Sequence, residues 1–162
     1  MQRFAAILLI SCGFARSYAG ALSGIHMPPY PQGLVERGGS CIQLNERAAA
    51  RCAYGFGVLA DAAGNPKIIY AGRLEGRDES GKAKWLVLDS FRIPKLPGGY
   101  RMAVSECAEN GTVDETIVAA VRSDGSKMWL DEVLFAKRFN VPKGEFSDLS
   151  VKHIRCKNIG MG

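Results

Sequence analysis

Residues 119–129 read "AAVRSDGSKMW": an apolar run, an Arg, a turn built on Asp, Gly and Ser, a Lys and a Trp. Asp and Ser side chains hydrogen-bond their own backbone a few residues on, and Gly relieves the steric limits of a tight turn. With apolar runs on both sides, the pattern predicts strand, turn, strand. Residues 71–85, "AGRLEGRDESGKAKW", carry the same punctuation. If the two stretches are copies, each continues alike. Each passes through a Trp strand, a loop containing Pro, Lys and Gly, an aromatic residue, and a strand ending in Cys107 or Cys156. This reading predicts two duplicated three-stranded meanders, with Cys107 and Cys156 at equivalent positions and Trp85 and Trp129 paired in the core. Two copies are too few for a solenoid or propeller.

Between these stretches, turn signals recur every ten to fifteen residues, as in an all-β sandwich or barrel. Strands are expected over 41–44, 51–60, 67–75, 83–93, 100–107 and 115–122, followed by one long strand over 127–139. Residues 108–114, "AENGTVD", read as a loop. The connection "NERAAA", 45–50, fits either a polar loop or one helical turn, because Ala favours helix. "WLDEVLFAKRF", 129–139, also fits two periods. Trp129, Val133 and Phe135 suit a strand, whereas Leu130, Val133, Leu134 and Ala136 would line one helix face. The expected fold is antiparallel, all-β and disulfide-stapled.

At the N-terminus, Arg3 precedes an unbroken apolar and small run over 4–11, and Ala19–Gly20–Ala21 offers a small-x-small cleavage pattern. That is the arrangement of a secretory leader, and the run is shorter than the roughly 20 residues of a membrane span. Residues 1–21 are therefore read as a signal peptide. "LISC", 9–12, has the form of a lipobox, and lipidation at Cys12 is the one route by which this reading reaches a membrane. Residues 22–40 hold three prolines and four glycines and read as an extended, loosely ordered arm. Residues 41–162 then form one β-rich domain.

Cys12 leaves with the leader. Cys41, Cys52, Cys107 and Cys156 remain, an even set that reads as a disulfide framework in an exported chain. Of the three connectivities, Cys41–Cys52 with Cys107–Cys156 is preferred: a short local staple and a long loop closure. The absence of Cys-x-x-Cys and of paired His spacing argues against zinc.

The full chain has a net charge of +5; without Arg3 and Arg16 it carries 19 Lys and Arg against 16 Asp and Glu, a net of +3. That is too mild for a nucleic-acid reading. The charge is nevertheless blocked: +4 over 82–101, −5 over 106–132 and +4 over 137–157. Adjacent strands pairing opposite charges across a wet face would explain this. A charged recognition face that steers a partner is the functional alternative. Candidate binding residues are Glu109, Asp114, Glu115, Asp131 and Glu132 in the acidic block. In the basic block they are His153, Arg155 and Lys157, which alternation places opposite Lys152, Ile154 and Cys156.

Catalytic signatures are weak. There is no Gly-x-Ser-x-Gly elbow and no phosphate-binding Gly-rich loop. "ENGTVDE", 109–115, is oxygen-rich but lacks calcium-loop spacing. The expectation is a non-catalytic, cofactor-free binding module of the bacterial periplasm or envelope, of the inhibitor or immunity type. Its partner would be a cationic protein met by the acidic block, or an anionic envelope polymer met by the basic strands. A small exported hydrolase and a structural accessory docked through residues 22–40 are the alternatives.

Overall fold

Residues 117–121, "IVAAV", are buried at every position. A strand that alternates faces and is buried on both must lie between two layers. The computed structural model, which describes residues 20–44 and 52–159, shows those layers. Thirteen strands form three antiparallel sheets, with no helix among the described residues. The first sheet contains β1 (His26–Met27), β5 (Ala83–Arg92), β4 (Pro66–Arg77), β3 (Tyr54–Ala60) and β2 (Val35–Ile42), in that order. The middle sheet runs β12 (Glu145–Leu149), β11 (Val133–Asn140), β9 (Ile117–Arg122) and β6 (Tyr100–Val104). The third runs β10 (Trp129–Leu130), β13 (Ile154–Lys157), β7 (Cys107–Glu109) and β8 (Thr112–Val113).

The strand β9 divides the core. Val118 faces a cluster with Ile42, Phe56, Ile69, Ala71, Phe91 and Phe139, between the first and middle sheets. Ile117, Ala119 and Val121 face the third sheet and pack with Leu130, Ile154 and the Cys107–Cys156 pair. Phe146 joins the first interface, 5.0 Å from Phe91 in an edge-to-face contact and 5.4 Å from Phe139. Its backbone N–H donates to Asp89 at 2.7 Å, so β12 meets β5 along one seam. On the opposite seam the Ser40 and Ser105 hydroxyls lie 2.6 Å apart.

A third cluster lies on the outer face of the first sheet. In β4, Ile69 and Ala71 face the middle sheet, while Ile68 and Tyr70 face outward beside Leu59 and Val87. The outward side is covered by Leu22 and Met27, with Tyr30, Leu34 and Trp85 packed around them. Residues 22–40 are thus extended but not loose. Residues 26–27 pair with β5 at Trp85 and Leu86, and residues 35–42 pair with β3. The reason is the apolar run of β4, which needs cover on both faces. Glycines make room for the aromatic rings of this layer. A Cβ at Gly57 would overlap the Tyr70 ring, and Gly55 and Gly72 lie against Trp85.

The chain is all-β and carries both expected bridges, Cys41–Cys52 and Cys107–Cys156. The duplicated meanders are not present. Residues 78–82 close a hairpin, since Arg77 pairs with Ala83. After residues 123–126, by contrast, the chain crosses to the third sheet at Trp129–Leu130 and returns at Val133 to pair with β9. The likeness of the two stretches is local turn chemistry. Asp78 accepts from Ser80 N and Oγ at 2.9 and 2.6 Å. Asp124 does the same with Ser126 at the same distances. Trp85 lies in the outer layer of the first sheet and Trp129 in the third sheet, so they are not a core pair. Cys107 and Cys156 lie opposite each other in neighbouring strands rather than in equivalent copies.

Three further expectations change in detail. The single strand over 127–139 is two, because Leu130 is drawn into the core under the third sheet while Val133 rejoins the middle one. The strand expected over 100–107 breaks at Ser105, which takes a φ of 59°. The loop at 108–114 is a hairpin of β7 and β8, turned on Asn110 and Gly111 at φ 50° and 86°. Residues 1–19 of the expected leader, Cys12 among them, and the whole "NERAAA" connection lie outside the described residues.

Candidate functional site

The five acidic candidates each meet a partner within the chain. Arg138, on β11, reaches Glu109 at 2.7 Å and Asp114 at 3.0 Å, and this pairing raises its own pKa. Asp114 also accepts from Thr116 N at 2.9 Å, the same Asx turn seen at Asp78 and Asp124. Glu115 accepts from the backbone N–H of Gln43 at 2.8 Å. Lys127 lies 3.2 Å from Asp131, which holds the Asp131 carboxyl below its ordinary range. Glu132 accepts from Tyr100 Oη at 2.9 Å and Arg122 at 3.2 Å; these donors lower its pKa, Tyr100 first. Asp131 and Glu132 line a polar hollow of about 440 Å³ beside Arg122 and Lys127. The acids are therefore taken up by pairs inside their own block, Arg122–Glu132 and Lys127–Asp131, and by one contact between blocks, Arg138 with Glu109 and Asp114, which joins the middle and third sheets rather than neighbouring strands.

In the basic block, Ile154 and Cys156 are buried while Arg155 and Lys157 are exposed, as alternation requires. His153 lies one residue before the strand, in a turn with φ 69°, and its carbonyl accepts from Asn110 N at 3.1 Å. It is exposed but does not belong to the β13 alternation. Arg155 lies over the Trp129 ring, 4.7 Å from its centroid, a cation–π contact that occupies one face of its guanidinium.

A larger feature emerges only in three dimensions. Between the edge strands β2 and β6 lies a cleft of about 1050 Å³. Its apolar lining includes Val58, Ile93, Met102 and Val104. Its charged lining is Arg37, Lys67, Lys95 and Arg101 against the single acid Glu106. Arg101 bonds Glu106 at 3.3 Å and the Lys157 carbonyl at 2.8 Å, and Lys67 bonds Asp61 at 3.0 Å. Arg37 and Lys95 are exposed and meet no ion-pair or hydrogen-bond partner among the described residues. Gly38, with open space around its Cα, leaves the β2 wall bare. Sequence reasoning noted Lys95 and Arg101 only as part of a charge block. It missed Arg37 because that residue is brought to β6 solely by the closing of the two sheets.

Elsewhere, Glu36 accepts from Tyr70 Oη at 2.6 Å and Tyr30 Oη at 2.7 Å. Burial, then the Glu36 bond, drives the Tyr70 pKa upward, and the same two causes raise that of Tyr30. This carboxylate clamp ties residues 30–36 to β4. Among the described residues no three His, Cys, Asp or Glu side chains are grouped to hold a metal.

Comparison with known proteins returns no matching family model, no matching curated protein and no matching solved structure.

Proposed function

We propose that this chain is an exported, non-catalytic binding module that holds an anionic partner in the cleft between β2 and β6. Two disulfides belong to a non-reducing, extracellular-type environment. The periplasm or the exterior of a bacterial cell is the compartment this reading assigns. The observation that carries it is the cleft itself: four cations on its walls, two of them, Arg37 and Lys95, without a partner among the described residues, above an apolar lining. An unpaired cation beside low-dielectric walls attracts anions more strongly than one in open water. Of the two partner chemistries the charge blocks suggest, the anionic one is favoured, because the candidate acids already have intramolecular partners.

The test is binding of labelled poly-glutamate and of a heparin fragment, followed by fluorescence anisotropy at moderate salt. The expected result is binding by the native chain to at least one probe, weakened roughly tenfold by the pair Arg37→Glu and Lys95→Glu and by added salt. The Glu109→Gln variant should bind as the native chain does. Equal affinity of native and charge-reversed proteins would place the anion elsewhere and remove the cleft from the reading.

A further inference from the structure

The cleft is walled on one side by an unfinished sheet. Strand β6 has one neighbour, β9, and is the edge of the middle sheet. Backbone groups in an antiparallel strand point alternately toward and away from the neighbour. Ser105 N donates to Ile117 O at 3.1 Å, and Gly99 O accepts from Ser123 N at 2.7 Å. Odd-numbered residues of β6 therefore face β9, and the amides of Met102 and Val104 face the cleft. Of the groups on that side, Tyr100 N donates to Pro97 O and Met102 O accepts from Arg101. The N–H groups of Met102 and Val104 and the carbonyl of Val104 are left pointing away from β9, with no strand beside them among the described residues.

We propose, resting on the anion-binding reading above, that the cleft takes an extended acidic polypeptide segment added as a further strand along β6. Strand addition satisfies exposed edge groups and reads side chains at alternate positions. The five residues of β6 span about 17 Å at strand rise, room for a segment of about five or six residues. Met102 packs with Val58 and Ile93 between the first and middle sheets, so its neighbour Arg101 points to the other face, where it bonds the Lys157 carbonyl. Alternation sends one set of the segment's side chains to Val58, Ile93 and Met102 and the other set toward Arg101, with Arg37 and Lys95 at the cleft rim. The fitting ligand therefore alternates apolar residues with Asp or Glu. A second copy of the chain fits less well, since pairing two β6 edges brings Arg101 and its neighbouring cations against their own kind.

The experiment uses acetyl-Glu-Val-Glu-Val-Glu-Val-amide as the probe, with two N-methylated forms, each methylated on one alternate set of amides. Binding is read by anisotropy, and protection of the Met102 and Val104 amides by hydrogen exchange. Support is binding of the parent peptide, loss of roughly tenfold or more in one methylated form only, and slowed exchange at Met102 and Val104. Two results overturn strand addition and leave the anion cleft standing: both methylated forms bind like the parent, or the heparin fragment binds and the peptide does not. Protection of the same amides by self-association alone, seen by sedimentation, also overturns it in favour of a dimer. Failure of every anionic probe to bind overturns the underlying reading as well.

Discussion

Met27 tests whether the segment before Cys41 belongs to the folded body. It is 0% exposed and packs with Leu59, Ile68, Tyr70 and Val87 on the outer face of the first sheet. Burying such a side chain is worth about 1.5–3 kcal/mol in transfer free energy. Truncation to Ala adds a cavity term, so Met27→Ala should cost about 2–5 kcal/mol. Ile25, two residues away and 42% exposed, is the control. Its backbone carbonyl accepts from Val87 N, a bond that Ile25→Ala preserves, so the change should stay within about 0.5 kcal/mol. The assay is urea unfolding followed by circular dichroism and Trp fluorescence. With a slope of about 2 kcal/mol per molar, Met27→Ala should lower the midpoint by about 1–2.5 M at unchanged slope. Equal midpoints for the two variants would refute the reasoning and return residues 22–34 to the status of a loose arm.

Gly57→Ala forces a Cβ into the Tyr70 ring, so overpacking should cost about 1–3 kcal/mol in the same assay, whereas Gly38→Ala, in open space, should be nearly silent. The two bridges close loops of 11 and 49 residues. By chain entropy, replacing Cys107 and Cys156 with Ala should cost about 4 kcal/mol and replacing Cys41 and Cys52 about 3 kcal/mol, a ranking that reversal of the two melting shifts would sink. The Asp61 carboxyl, bonded first by Lys67 and then by the Asn65 backbone, is lowered from 3.8 to about 2. Because the folded value is the lower, its contribution is present above 3.8 and is lost as pH falls toward about 2. A carbon-detected titration should show that low midpoint, and Lys67→Met should move it back toward the ordinary value.

Local signals in the chain map onto elements wherever the cause is local. Asp78–Glu79–Ser80 and Asp124–Gly125–Ser126 form the same Asx turn, as their residue types require. Asn110–Gly111 is the strongest two-residue hairpin signal, and its turn was legible although the short strands flanking it were not. The alternation of Ile154, Arg155, Cys156 and Lys157 is reproduced residue by residue. The candidate site was legible only in fragments. Lys95 and Arg101 are visible as charges, but nothing near them in the chain points to Arg37.

By itself, then, the sequence determined the all-β class, the turn chemistry and four cysteines, Cys41, Cys52, Cys107 and Cys156, suited to two bridges. Those properties arise from side chains acting on their own backbone or on near neighbours, and a linear text records them. The tertiary structure alone decided that identical turns lead to different sheets, and that β9 and β4 are each covered on both faces. It also paired Arg138 with Glu109 and Asp114, and it set the open edges of β2 and β6 across one cleft. The apolar runs "IVAAV" and "IIYA" demand two buried faces, but which distant segment supplies each cover depends on how the sheets close. That closure is a sum over many weak long-range contacts, and no single residue encodes it.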